Sequence, residues 1–249
     1  MYQWPECGKL KPGNMTVKEI MTVLKLKGSD SIKKILLKHG VKEPFFGVKV
    51  EELKKIQKVV KVDYQLAKDL YATGNADAMY LAGLIADDAK MTKKDLNEWI
   101  IMAHSDNISG YTVPWVAAEG NHGYALALEW IESKEPYIAA AGWNTLSNIV
   151  SVKPDADLDL GHIKKLLLRI EKEIHTAPNR VRQCMNGFIV AAGSYIASLT
   201  DKAVATAKKI GTVTVDMNGT ACKVPFALDS IQKVKDKNAI GKKKKTVKC

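Results

Sequence analysis

The sequence predicts an all-helical chain built as an α-solenoid of stacked helix pairs. Three observations carry that expectation. Amphipathic segments recur at helical spacing along most of the 249 residues. Between them lie helices rich in Ala and Gly, small enough to let neighbouring backbones approach closely. The spacing of these small-residue helices, roughly 25 to 50 residues, brackets the ~40 of HEAT-type repeats, though unevenly. A hydrophobic content of 46% suits a globular core. No apolar run approaches the ~18 to 20 residues needed to span a bilayer, so a membrane role is not expected.

Residues 1–14 lack an apolar signal core and are read as an irregular extension. Residues 15–234 are expected to form the repeat domain, and 235–249 a basic tail. Thr16 and Glu19 have capping-box spacing, and an amphipathic run follows to Lys27 before Gly28. SIKKILLKHG places Ile32, Ile35, Leu36 and Leu37 near one stripe and stops at Gly40. KEPFFGVKV breaks the helical pattern at Pro44 and Gly47, and VEELKKIQKVVK resumes it. YQLAKDLYATG ends at Gly74. Thr92 and Asp95 open a further capped helix, TKKDLNEWIIMAH. YALALEWIES follows, and then HIKKLLLRIEKEIH, with Ile163, Leu166, Leu167, Ile170 and Ile174 on one face. The small-residue helices read YLAGLIA (80–86), WVAAEG (115–120), IAAAGWNTL (138–146) and IVAAGSYIA (189–197). TVTVDMNGTACKV (212–224) alternates around Asn218-Gly219, so a small β-hairpin is expected there. A short helix, ALDSIQKVKD, precedes the lysines.

Enzyme signatures of the strong kind are missing from the sequence: it has no Gly-rich phosphate loop, no HExxH and no GxSxG. The five histidines have no ligand spacing. Cys7, Cys184, Cys222 and Cys249 share no short spacing, so neither a metal site nor a redox pair is indicated, and no cofactor is implied. Reduced thiols in a cytoplasmic setting are the simplest expectation. The net charge is +11, of which the last fifteen residues supply +6. Such an excess favours a polyanionic partner, nucleic acid first.

FFGVKVEELKKI (45–56), AMYLAGLIADDAKMTKKDLNEWI (78–100) and EWIESKEPYIAAAGW (129–143) resemble the DNA alkylation repair family, the AlkD-like HEAT-repeat alkylpurine DNA glycosylases. APNRVRQCMNGFIVAAGSYI and VDMNGTACKVP resemble one bacterial branch of it. The resemblance covers residues 15 to 249 and implies a curved solenoid with a basic face that cradles duplex DNA. Active relatives hydrolyse the N-glycosidic bond of N3- or N7-alkylated purines. An Asp there stabilises an oxocarbenium-like sugar, and tryptophans contact the lesion nucleotide. These relatives do not require the base to be flipped into a pocket.

The resemblance sets the family's Trp-x-x-x-Asp pattern against Ser105 to Ser109, with Ser105 in place of the Trp and Ser109 in place of the Asp. Asp106 is the candidate catalytic carboxylate of a rearranged site. Lying about 100° around the helix from the Trp position, it is expected to face elsewhere. Phe188 aligns with a second family Trp, and alanines stand where an inner-helix arginine is expected near 138–142. Trp115 and Trp143 are candidates for the DNA face, with a core role as the alternative. Arg180 and Arg182 are candidates for phosphates, with surface salt bridges as the alternative. Lys242, Lys243, Lys244 and Lys245 are expected to be flexible phosphate contacts. Three functions follow. The first is a glycosylase centred on Asp106. The second is a non-catalytic protein that binds damaged, bent or branched duplex DNA by shape. The third is a protein-binding solenoid.

Overall fold

A computed structural model of the chain describes residues 15–217, 219–220 and 223–248. The readings of residues 1–14, of Asn218 in the turn, and of Cys7, Cys222 and Cys249 lie outside those residues. The described residues are predominantly helical and divide into two compact units, one ending at Asp87 and one beginning at Asp88. No single helix is long and apolar enough to cross a membrane.

The first unit holds α1 (Val17–Lys27), α2 (Asp30–Lys38), α3 (Val50–Val60), α4 (Tyr64–Ala72) and α5 (Ala76–Ile85). The capping box forms as expected: the Thr16 hydroxyl accepts from the Glu19 amide, and the Glu19 carboxylate accepts from the Thr16 amide at 2.8 Å. All ten residues of α5 are buried, so this small-residue helix is the core of the unit. The stripe expected on α2 forms without being covered: Ile35 and Leu37 stay about half exposed. The FFGVKV segment is held by a single carboxylate. Asp77 accepts the amides of Phe46 (2.6 Å), Gly47 (3.1 Å) and Val48 (3.2 Å), so three donors of a tight loop find one buried acceptor. Gly47 has φ +78°, and a Cβ there would lie 2.6 Å from the Ser29 carbonyl oxygen.

The second unit holds α6 (Lys93–Met102), α7 (Val113–Glu119), α8 (Gly123–Trp130), α9 (Pro136–Val152), α10 (Leu160–Glu173), α11 (Asn179–Tyr195), α12 (Thr200–Ile210) and α13 (Ala227–Asp236). Helices α7, α9 and α11 lie side by side, with α8 behind α9 and α12 behind α11. This layering follows from the alternation in the sequence. Gly142 of α9 approaches α8 so closely that a Cβ would meet Ile131 N at 2.7 Å and Ala127 O at 2.8 Å. Ile163, Leu166, Leu167, Ile170 and Ile174 are all buried, as their spacing requires.

Helices α10 and α12 are tied by Glu171. Its side chain is 6% exposed and accepts from Lys202 (2.7 Å), Thr206 (2.7 Å) and Lys209 (2.9 Å). Burial works against its charge, but the hydrogen bonds from Lys202, Lys209 and Thr206 outweigh it and hold the carboxyl down at about 2. A folded pKa below the unfolded one gives stability that is present above the unfolded value and lost as pH falls toward the folded one. Glu171→Gln is therefore expected to cost about 2 kcal/mol in urea unfolding at neutral pH. The gap to the unsubstituted protein should close as pH falls from about 4.5 toward 2.

The described residues do not support the expected β-hairpin. Among the described residues there is no strand, and 211–217 and 223–226 run irregularly. Several of their backbone groups bond to side chains of α11. Asn179 Nδ2 donates to the Asp216 carbonyl (2.7 Å) and its Oδ1 accepts the Asp216 amide (2.8 Å). Arg182 donates to the Thr214 carbonyl (2.8 Å), and Asn186 to the Pro225 carbonyl (3.0 Å). Alternation and a turn dipeptide describe the ends of a hairpin, but a ladder needs backbone groups that are still free.

Candidate functional site

Helix α7 begins irregularly, and the irregularity shapes the site. Pro114 lacks the N–H that would serve the Gly110 carbonyl one turn back. The Val113 amide reaches instead to the Ile108 carbonyl, so Ile108–Thr112 forms a π-helical turn. The orphaned Gly110 carbonyl accepts from Asn144 Nδ2 of α9 at 2.9 Å. A π turn takes in an extra residue and rotates everything before it relative to α7. Asp106 lines the same hollow as Arg180, whereas Ser105 does not, so the two face different ways as their spacing requires. Ser105 and Ser109 are only 6% and 5% exposed, and the Ser109 hydroxyl donates to the Ser105 carbonyl at 3.3 Å.

Two adjoining hollows lie over α7, α9 and α11. The smaller, of about 200 Å³, is lined by Asp106, Ser109, Gly110, Pro136, Tyr137, Ala140, Asn144, Arg180 and Cys184. The larger, of about 310 Å³, adds Tyr111, Trp115, Asn148, Gln183, Asn186 and Gly187, and ends against Val224 and Pro225. Tyr111 is 54% exposed and packs at a tilt on Trp115, with ring centroids 5.9 Å apart. Asp106 is the one carboxylate among the lining residues. Its Oδ2 lies 3.5 Å from Arg180 Nε, and Arg180 also donates to Gln183 Oε1 at 2.7 Å. Burial pushes the Cys184 thiol up to about 12, with the Arg180 charge and the Asn144 amide opposing only in part. The thiol is therefore protonated near neutral pH and is no nucleophile.

The candidate residues divide. Asp106, Arg180 and Trp115 come together at the hollows. Trp143 and Phe188 do not: both are fully buried and meet edge to face, centroids 5.5 Å apart, in the core between α9 and α11. An aromatic in an Ala-rich helix fills the space its small neighbours leave, and here that space faces inward. Arg182 donates to the carbonyls of Ala177 (3.1 Å) and Thr214, so it holds backbone in place. Lys243 is paired with Asp155 at 2.7 Å, while Lys242, Lys244 and Lys245 are exposed. The segment that carries them is not free, because its backbone is bonded to α9 and α11. Sequence reasoning missed Tyr137, Asn144, Asn148 and Gln183. The signal was there: Asn144 and Asn148 are polar residues one turn apart in a helix otherwise made of small and apolar ones.

An aromatic platform, a row of side-chain amides and one guanidinium suit a polar, anionic, flat-faced ligand. The chain matches the family model described as DNA alkylation repair enzyme over residues 20–220. It is 31% identical to the "Uncharacterized protein Lmo0209" of Listeria monocytogenes serovar 1/2a over 230 residues, which are 90% of this chain and 99% of that one. It is 30% identical, with the same coverage, to the "Uncharacterized protein Lin0241" of Listeria innocua serovar 6a. A solved structure described as "A new family of proteins related to the HEAT-like repeat DNA glycosylases with affinity for branched DNA structures" superposes with a TM-score of 0.87. That structure is 35% identical and covers 94% of this chain and 100% of its own.

Proposed function

Because the chain belongs to the DNA alkylation repair enzyme family, we propose that it binds DNA over the α7–α9–α11 face and recognises bent or branched duplexes by shape, without hydrolysing the glycosidic bond. One observation carries the reading. The two positions that the resemblance sets against the family's Trp-x-x-x-Asp pattern are serines of low exposure, and the nearby Asp106 is paired with Arg180. A serine hydroxyl cannot stabilise a developing cation as a carboxylate does, and a carboxylate beside a guanidinium has much of its field cancelled. The binding groups remain: Tyr111 offers a stacking face, Asn144, Asn148 and Gln183 offer amides, and the net charge of +11 attracts phosphates. The affinity for branched DNA in the description of the solved relative supports the choice of ligand.

A second reading keeps the chemistry. Asp106 shares its hollow with Tyr137 and Asn144, so a lesion nucleotide reaching that hollow would meet a carboxylate.

The binding reading is tested by equilibrium titration of a four-way junction and a linear duplex of the same sequence. The junction is expected to bind about tenfold tighter. Both affinities should fall roughly 150- to 500-fold between 50 and 200 mM salt, as neutralising about four to five phosphates requires. Binding that is absent, or indifferent to salt, removes the DNA reading in favour of a protein scaffold.

A further inference from the structure

After α13 the chain does not leave the second unit. It runs back across the C-terminal ends of three helices in succession, α11, α9 and α7. The Gly241 amide donates to the Ser194 carbonyl (2.9 Å), and the Lys244 amide to the Ser151 carbonyl (2.8 Å). Lys243 Nζ donates to the Val150 carbonyl (2.8 Å) and pairs with Asp155 (2.7 Å). Glu119, the last residue of α7, accepts the Thr246 hydroxyl (2.5 Å) and the Val247 amide (2.6 Å). Lys248 pairs with Asp88 at 2.7 Å. These acceptors are chemically alike. The last carbonyls of a helix have no partner within it, and they carry the negative end of the helix dipole. An acid at that end, as Glu119 is, adds to the deficit of donors. The strap supplies them.

The anchor points also sit at the end of the binding face. Glu119 follows Trp115 by one turn, Ser151 follows Asn148 by three residues, and Ser194 follows Val190 by four, so each continues a stripe that lines the larger hollow. Without the strap this border would present three helix C-termini and a carboxylate, which repel phosphate. With it, the exposed Lys242, Lys244 and Lys245 stand along the border, and Lys244 is steadied over the Tyr195 ring at 5.5 Å.

We infer that residues 237–248 form an ordered phosphate-binding rail, in which Lys242, Lys244 and Lys245 contact the backbone of one DNA strand and Glu119 acts as the positioning residue that holds them there. The inference rests on the DNA-binding reading and deepens it. It has an uncommon consequence: removing an acid should weaken the binding of a polyanion. A loose polycation would behave the other way, because Glu119→Ala makes the chain more positive.

The test titrates a linear duplex with the full chain, with the triple variant K242Q/K244Q/K245Q and with Glu119→Ala, over a range of salt. Hydrogen exchange at the Lys244 and Val247 amides follows the strap. The triple variant is expected to lose about ten- to a hundredfold in affinity, with a salt slope shallower by about one per lysine. Glu119→Ala is expected to lose severalfold, together with faster exchange at both amides. A triple variant that binds like the unsubstituted chain overturns the rail and leaves the DNA reading standing. Glu119→Ala that binds as tightly as the unsubstituted chain, or more tightly, overturns the ordered rail in favour of a mobile polycation. Failure of the unsubstituted chain to bind duplex removes the DNA reading and the rail with it.

Discussion

Trp143→Ala lowers stability by about 4 kcal/mol in chemical unfolding, the cost of emptying a large aromatic site in a close-packed core. The indole is fully buried, meets Phe188 edge to face, and lies 6.0 Å beneath the Arg169 guanidinium. Its small neighbours in α9, Ala139 to Gly142, have no side chains long enough to collapse into the space. The contrast is Tyr111→Ala. That ring is 54% exposed, so its removal should change stability by about 0.5 kcal/mol or less. It should weaken DNA binding by about tenfold, the worth of one stacked base. Unfolding curves and duplex titrations of the two variants should therefore move in opposite order. A Trp143→Ala protein of unchanged stability would put the indole on the binding face instead of in the core.

Asp106→Asn tightens DNA binding by about threefold. The carboxylate competes with phosphates for Arg180 and repels them itself, so its neutralisation frees the guanidinium. Arg180→Gln does the reverse and weakens binding by about tenfold, with a salt slope lower by about one. The ion pair is about one-third exposed at both ends, so its own contribution to folding is small and both variants should fold. Were Asp106 the acid of a glycosylase, its amide would bind DNA normally and lose the chemistry by a hundredfold or more.

The repeat architecture was legible in the sequence because its cause is local. Capping boxes at Thr16 and Thr92, the apolar stripe of Ile163 to Ile174, and the clusters of alanine and glycine each determine their own helix. The family resemblance pointed to the same fold. What the sequence did not show depends on partners distant along the chain. The π turn at 108–112 involves Pro114 withdrawing a donor and Asn144 of α9 bonding the Gly110 carbonyl, and Asp106 pairs with Arg180 of α11. The 212–224 segment had the composition of a hairpin, but among its described residues Thr214 and Asp216 bond to side chains of α11, which the local pattern does not show. The four consecutive lysines read as a free tail because nothing near them in sequence holds them. Their anchors are distant along the chain: Val150 lies 93 residues from Lys243, and Glu119 128 residues from Val247. Phe188 was placed by its alignment with a family Trp and Trp143 by its aromatic type, with the core as the alternative that the structure bears out. Neither ground says which way a helix turns.

The central claim is that this protein keeps the DNA-binding face of its family and not the hydrolysis. The most direct measurement is single-turnover release of 7-methylguanine from a methylated duplex, with protein in excess at concentrations where binding of that duplex is complete. The expected result is release at the spontaneous rate, the same with the unsubstituted protein and with Asp106→Asn. Release well above that rate which disappears in Asp106→Asn would contradict the claim and make Asp106 a working catalytic carboxylate.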